Sequence, residues 1–169
     1  MAALRKMLGS ATHPTVIRLM RLMETQSHRT LIRFAAGEAA RYLPLTGPCG
    51  ACTAAVAAAE CYLAGTEAVK GVKAAVAGAR KAAQAEKDPV RQAAMRAVST
   101  ACAAVHTPTC ALGFVFYGAA AHAYHTAGVA AAREEHDALA DAELARLYDR
   151  LTAMAVQNEP DPVRIDWGC

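Results

Sequence analysis

The sequence predicts one all-α domain, an antiparallel bundle of about six or seven alanine-rich helices. Alanine, the strongest intrinsic helix former, supplies roughly a quarter of the 169 residues. The alternating β-branched and aromatic residues that are typical of strands are missing. Hydrophobic residues make up 54% of the chain and aromatic residues only 5%, which favours close packing of helices through small side chains. Short connections between helices favour antiparallel neighbours.

The elements of the first half follow from caps, turns and apolar spacing. Thr15 and Ser27 are candidate N-caps of the first two helices. Two prolines and a glycine in residues 44–48 form a turn that ends the second helix. The third helix, 49–64, is apolar on all sides, which is typical of a central helix. The fourth, 67–87, is amphipathic, with a stripe of valine and alanine and a stripe of lysine and arginine.

Two helices of the second half start at an N-cap residue followed by proline. These pairs are Asp88-Pro89 and Thr107-Pro108. They predict helices over 89–106 and 108–126, and leucine spacing predicts a last helix over 129–157.

Three segments are expected from this pattern. Residues 1–14 have a weak apolar pattern and are predicted to be a flexible N-terminus. Residues 15–157 form the helical domain, which is long enough to bury a real core. Residues 158–169 contain two prolines and are predicted to be an extended C-terminal tail.

Charge and hydropathy narrow the classes of function. A net charge of +3 is too small to indicate nucleic-acid binding by itself. No convincing uncharged apolar run reaches the length of a membrane span, and the N-terminus lacks the pattern of a secretory signal. We therefore expect a cytoplasmic protein that binds neither nucleic acid nor membrane. In a reducing cytoplasm its six cysteines are more often free, metal-bound or redox-active than paired in disulfides.

Cys49-Gly-Ala-Cys52 is the sharpest local motif. It lies at a predicted helix start, where the helix dipole and free N–H groups stabilise a thiolate. Two thiols at positions i and i+3 share a helix face, as a redox pair or half of a metal site requires. The alternative is structural, because a free cysteine also packs as a small apolar residue in an alanine-rich helix.

A second group of ligand-type side chains surrounds the next predicted turn. Cys102 and His106 are one helical turn apart, and Cys110 follows the turn. Zinc or another thiophilic metal favours a tetrahedral set of three cysteines and one histidine. The candidate ligands are Cys49, Cys52, His106 and Cys110. For a redox enzyme without a metal the candidate catalytic residues are Cys49, Cys52 and His106, whereas in a structural role His106 would bridge a helix end.

Seven lysine and arginine residues form what we call the basic stripe, on the fourth and fifth predicted helices. They are Lys70, Lys73, Arg80, Lys81, Lys87, Arg91 and Arg96. Such a stripe can face an acidic partner or be a solvated surface. It lacks interleaved aromatic residues and so does not indicate nucleic acid.

Residues 104–113, followed by Tyr117, resemble the core motif of a bacterial helical family, the putative immunity proteins of the Imm-five-like type. That motif runs roughly A-x-H-x-x-x-H-A-x-G. His106 matches its first histidine, whereas Cys110 stands where the second is usual. The similarity extends over about residues 34–151. It implies a small all-helical protein that binds a partner toxin and neutralises it, with His106 as a structural or site histidine.

The cysteine pair is also similar to the CxxC of all-α alkylhydroperoxidase-like proteins. Those proteins place a histidine four residues after the second cysteine, where Val56 stands here, and a glutamate before the first, for which Glu38 is the nearest upstream acid. Without that histidine the proton relay that activates the thiolate is incomplete. We therefore rank a protein-binding function first and a cysteine-dependent redox or metal-binding enzyme second, and a homodimer stays open.

Overall fold

The computed structural model describes residues 3–168 as seven α-helices joined by short connections. The helices are α1 (Pro14–Met23), α2 (His28–Tyr42), α3 (Gly50–Leu63), α4 (Val69–Ala85), α5 (Pro89–Cys102), α6 (Cys110–Ala127) and α7 (Arg133–Met154). Two 3-10 turns, Leu43–Thr46 and Ala103–Val105, follow α2 and α5. The described residues form no strand, and the predicted all-α bundle of six or seven helices is confirmed.

The centre of the bundle is formed by α5 and α6, whose alanines are buried on several sides. Alanine keeps the side chains short, so neighbouring backbones pack closely, and Phe34 and Phe114 fill the wider space with ring centroids 5.5 Å apart. The prediction that the third helix is central is wrong. Helix α3 buries only four residues and exposes Ala54, Ala57 and Cys61, because alanine tolerates water as well as a core.

Two of the predicted helix starts are confirmed in detail. The Ser27 side chain accepts a hydrogen bond from the Thr30 backbone N–H, and that of Asp88 accepts one from Arg91. The first helix, however, is capped by His13, whose Nδ1 accepts from the Thr15 backbone N–H.

The predicted start at Thr107-Pro108 is wrong. Helix α5 ends at Cys102, a 3-10 turn follows, and α6 begins only at Cys110. His106 therefore lies in the connection between two helices, not on a helix one turn beyond Cys102. The carbonyl of Ala104 in this turn lies 2.6 Å from His28 Nε2, a contact with α2 that fixes the chain outside a regular helix.

The N-terminal segment, residues 3–13, lies along α6 and α7. Leu8 is fully buried, and its backbone N–H donates to the carbonyl of Phe116 over 3.1 Å. The Tyr124 hydroxyl donates to the carbonyl of Arg5 over 2.6 Å.

The C-terminal segment, residues 155–168, returns to the N-terminal helices and packs where α1 meets α2. The Val163 backbone N–H donates to the carbonyl of Gln26 over 2.8 Å, and the buried Gln26 side chain bonds both polar backbone groups of Val156. The Glu159 carboxylate accepts hydrogen bonds from Ser27 and Thr30. The three predicted segment boundaries stay predictions.

None of the described helices combines the length and the apolarity that crossing a bilayer requires.

Candidate functional site

Four members of the basic stripe share the outer side of α4. They are Lys70, Lys73, Arg80 and Lys81, all exposed. At 3.6 residues per turn they fall within a sector of about 100°, which is set apart from the buried positions of Val72, Val76 and Ala79. The aliphatic stripe anchors the helix on the bundle, so the four positive charges point away from it.

Among residues 3–168, no acidic side chain forms a salt bridge with the basic stripe. Neither α4 nor α5 contains an aspartate or glutamate. Within residues 3–168 every salt bridge lies elsewhere in the bundle, and none includes a member of the stripe. Apart from Lys87, which lies between Glu86 and Asp88 in the connection of the two helices, the stripe is therefore a surface of uncompensated positive charge, which attracts acidic groups.

His106 lies at the edge of this surface, in the turn that packs beside α4. Its Nδ1 is 2.9 Å from Thr107 Oγ1, and its Nε2 is buried without a hydrogen-bond partner in the described part of the chain. Burial, together with the positive charges of Lys73 and Arg80, lowers the pKa of His106. The imidazole is therefore neutral at neutral pH.

The motif residues after His106 follow helical spacing along the start of α6. Cys110, Gly113 and Tyr117 are three or four positions apart, so they lie on one side of the helix. Burial raises the pKa of the Cys110 thiol, and the positive charge of Arg80 opposes that rise. Gly113 faces α5, because a Cβ there would be 3.4 Å from Thr100 Cγ2.

The cysteine pair forms the N-terminus of α3. Cys49 is the N-cap, and its Sγ accepts a hydrogen bond from the Cys52 backbone N–H over 3.4 Å. Burial, the hydrogen bond with Cys49 and the proximity of Cys102 all raise the pKa of Cys52. Burial and the negative charge of Glu60 raise the pKa of Cys102 to about 12. Both buried thiols are therefore protonated at neutral pH.

The predicted metal ligands belong to two separate elements. Cys49 and Cys52 begin α3, whereas His106 and Cys110 flank the start of α6. Across residues 3–168 no three cysteine, histidine, aspartate or glutamate side chains are placed to hold a metal ion. The described side chains thus do not provide the closed set that a structural zinc needs. The zinc set and the catalytic set stay predictions from the sequence.

A buried ionic network, which was not predicted from the sequence, lies between α2 and α7. Glu143, 2% exposed, accepts hydrogen bonds from the Tyr42 hydroxyl over 2.6 Å and from Arg41 over 3.0 Å. Arg146 bridges Glu143 and the buried Glu38, so two carboxylates face two guanidinium groups. The signal was present, because Glu38 and Glu143 each occupy a core position of an otherwise apolar helical stripe.

Comparison with known proteins identifies a family for this chain. Residues 21–151 match the family model described as Imm-5 like putative immunity protein. The match covers about three quarters of the chain and includes the basic stripe, His106 and the buried ionic network. Neither the curated proteins nor the solved structures give a match.

Proposed function

Because this chain belongs to the Imm-5 like putative immunity protein family, we propose that it neutralises a partner toxin in the cytoplasm by binding to it and covering part of its surface. The observation that carries the proposal is the uncompensated basic stripe on α4 and α5. Complementary charge steers two proteins into contact and fixes their relative orientation. We infer that the face of the toxin that meets α4 is acidic.

The form of the α4 surface supports contact with a protein. Ala74 and Ala77 are exposed between the charged side chains of α4, so a partner can approach the helix backbone closely. The opposite side of α4 packs into the hydrophobic core of the bundle, so the helix that carries the charges is held rigidly. Rigid surfaces lose little conformational entropy on binding.

Reversing two charges of the stripe should abolish most of the binding. In the double variant Lys73→Glu/Lys81→Glu, we expect the Kd for the partner toxin to rise at least about 100-fold, since like charges across an interface cost several kcal/mol. Isothermal titration calorimetry measures the Kd, and growth of cells that produce both proteins reports neutralisation. Binding of the unchanged protein should also weaken as salt is raised.

The matched control is Arg150→Glu/Arg164→Glu. It changes the net charge by the same amount at two exposed arginines outside the stripe, neither of which forms a salt bridge among the described residues. We expect its Kd to stay within about threefold of the unchanged protein. Equal losses in both double variants, or an unchanged Kd in the α4 variant, would contradict the docking of an acidic surface on α4.

A thiol-dependent function is the second candidate, and the contact of Cys49 Sγ with the Cys52 backbone N–H favours it. If toxin binding is the function, Cys49→Ser/Cys52→Ala should keep the Kd within about twofold, because Cys52 lies inside the bundle and both cysteines lie on α3, outside the stripe. A folded double variant that no longer protects cells would favour the thiol function. Intact-protein mass spectrometry with and without reductant then distinguishes a reversible disulfide, which lowers the mass by two protons, from a bound metal.

A further inference from the structure

A polar cavity of about 200 Å³ lies between α4, α5 and the first half of α6. Its polar lining comes from Ser99, whose hydroxyl donates to the carbonyl of Arg96, and from five other side chains, those of Arg80, Gln84, Arg96, Thr100 and Tyr117. Arg80 and Arg96 come from neighbouring helices and form two of its walls. No acidic residue contributes to the lining.

Apart from Ser99, the polar side chains of this cavity have no partners within the described chain. In residues 3–168 none of the five side chains takes part in a hydrogen bond or salt bridge, whereas Arg5, Arg41 and Arg146 all pair with carboxylates. Two positive charges beside one space repel each other, and a bound anion relieves that repulsion. The cavity therefore offers hydrogen-bond donors to an acceptor from outside the described chain.

The chemistry of the lining defines that acceptor. A guanidinium group binds carboxylate and phosphate oxygens through two parallel hydrogen bonds. Hydroxyl groups of Thr100 and Tyr117 and the Gln84 amide add neutral donors. We propose that this polar cavity binds a small oxyanion, a phosphate or carboxylate group held between Arg80 and Arg96.

The electrostatics of the surrounding residues agree with this assignment. Beyond the effect of burial, Arg80 lowers the pKa of both His106 and Cys110, so its positive field reaches the start of α6. Six cations on α4 and α5 face no acid on either helix. A cleft lined by charges of one sign concentrates such a potential and raises the local concentration of anions.

Calorimetric titration of the isolated chain with inorganic phosphate tests the proposal. At constant ionic strength set with chloride, we expect saturable binding of one phosphate per chain. Arg80→Gln and Arg96→Gln should each raise the Kd at least about tenfold, and Tyr117→Phe about threefold. Lys81→Gln removes an exposed charge one position from Arg80 and should change the Kd less than about twofold. Heat that does not saturate, or equal losses in the Arg80 and Lys81 variants, would overturn the proposal.

The source of the oxyanion follows from a competition experiment. If saturating phosphate weakens toxin binding, the cavity receives an acidic side chain of the toxin. If phosphate and toxin bind together, the cavity serves a small phosphorylated or carboxylated molecule. The titration uses the chain alone, so failure of phosphate binding leaves the proposed toxin neutralisation untouched, and Lys73→Glu/Lys81→Glu tests that function without altering a cavity wall.

Discussion

Replacing Gly118 by alanine should lower the free energy of unfolding by about 3 kcal/mol. A Cβ at this position of α6 would lie 2.5 Å from Cζ of Tyr42, well inside any van der Waals contact. Tyr42 is 1% exposed, and its hydroxyl is bonded to Glu143, so the ring cannot move aside without breaking the buried network. Urea unfolding followed by circular dichroism measures the change.

The control for this substitution is Gly37→Ala. Gly37 is exposed within α2, and nothing lies within 4 Å of a Cβ built there. Alanine should therefore stabilise the protein by about 0.5–1 kcal/mol through its helix propensity. The cause is tested by adding Tyr42→Leu, which removes the obstructing ring. Strictly additive effects of Gly118→Ala and Tyr42→Leu would show that the steric explanation is wrong.

Replacing Glu143 by glutamine should cost about 2–3 kcal/mol at neutral pH. Removing one member of a buried ion pair typically costs 3–5 kcal/mol, because it leaves an uncompensated charge. The cost is lower here since Arg41 and Arg146 are 46% and 30% exposed and can turn to water. Glutamine can still accept the Tyr42 hydrogen bond. Asp149→Asn, at an exposed site of the same helix, is the control and should stay within about 0.5 kcal/mol.

The contribution of Glu143 should depend on pH. Burial alone would raise its pKa, but hydrogen bonds from Arg146 and Tyr42 and the two positive charges outweigh it and hold the pKa below the ordinary 4.5. The stabilisation is therefore complete above pH 4.5 and is lost as the pH falls through the lower folded-state pKa. The difference in Tm between the unchanged protein and Glu143→Gln should shrink in that window. A difference that stays constant from pH 7 to pH 3 would contradict this assignment.

The sequence predicted the helix boundaries well wherever they depend on contacts between residues close together in the chain. Ser27 and Asp88 cap their helices through backbone N–H groups three residues away, so the sequence alone identifies them. The end of α5 depends on His28, which contacts the carbonyl of Ala104 from a different helix 76 positions earlier. No pattern of neighbouring residues encodes such a contact. Leu8 is similar, since one leucine in an irregular segment gives no periodicity, yet it is fully buried.

The candidate sites also differ in whether they depend on local or on long-range contacts. The four α4 members of the basic stripe could be read from the sequence because helical spacing alone puts them together. The cavity between Arg80 and Arg96 requires three helices to converge, and the contact of Arg146 with Glu38 joins positions 108 residues apart. The cysteine motifs show that residue types alone do not predict a site. The sequence contains side chains suited to a metal, but whether they lie close together depends on how α3 and α6 are placed.

The position of the C-terminal segment delays one set of buried hydrogen bonds during synthesis of the chain. Gln26 emerges early, whereas Val156, which bonds its buried amide, is made 130 residues later. At translation speeds of about 5–20 residues per second, roughly 6 to 26 s separate the two. Until then the amide of Gln26 and the hydroxyls of Ser27 and Thr30 are hydrated at an open corner, which residues 155–168 cover only after the seven helices have been made.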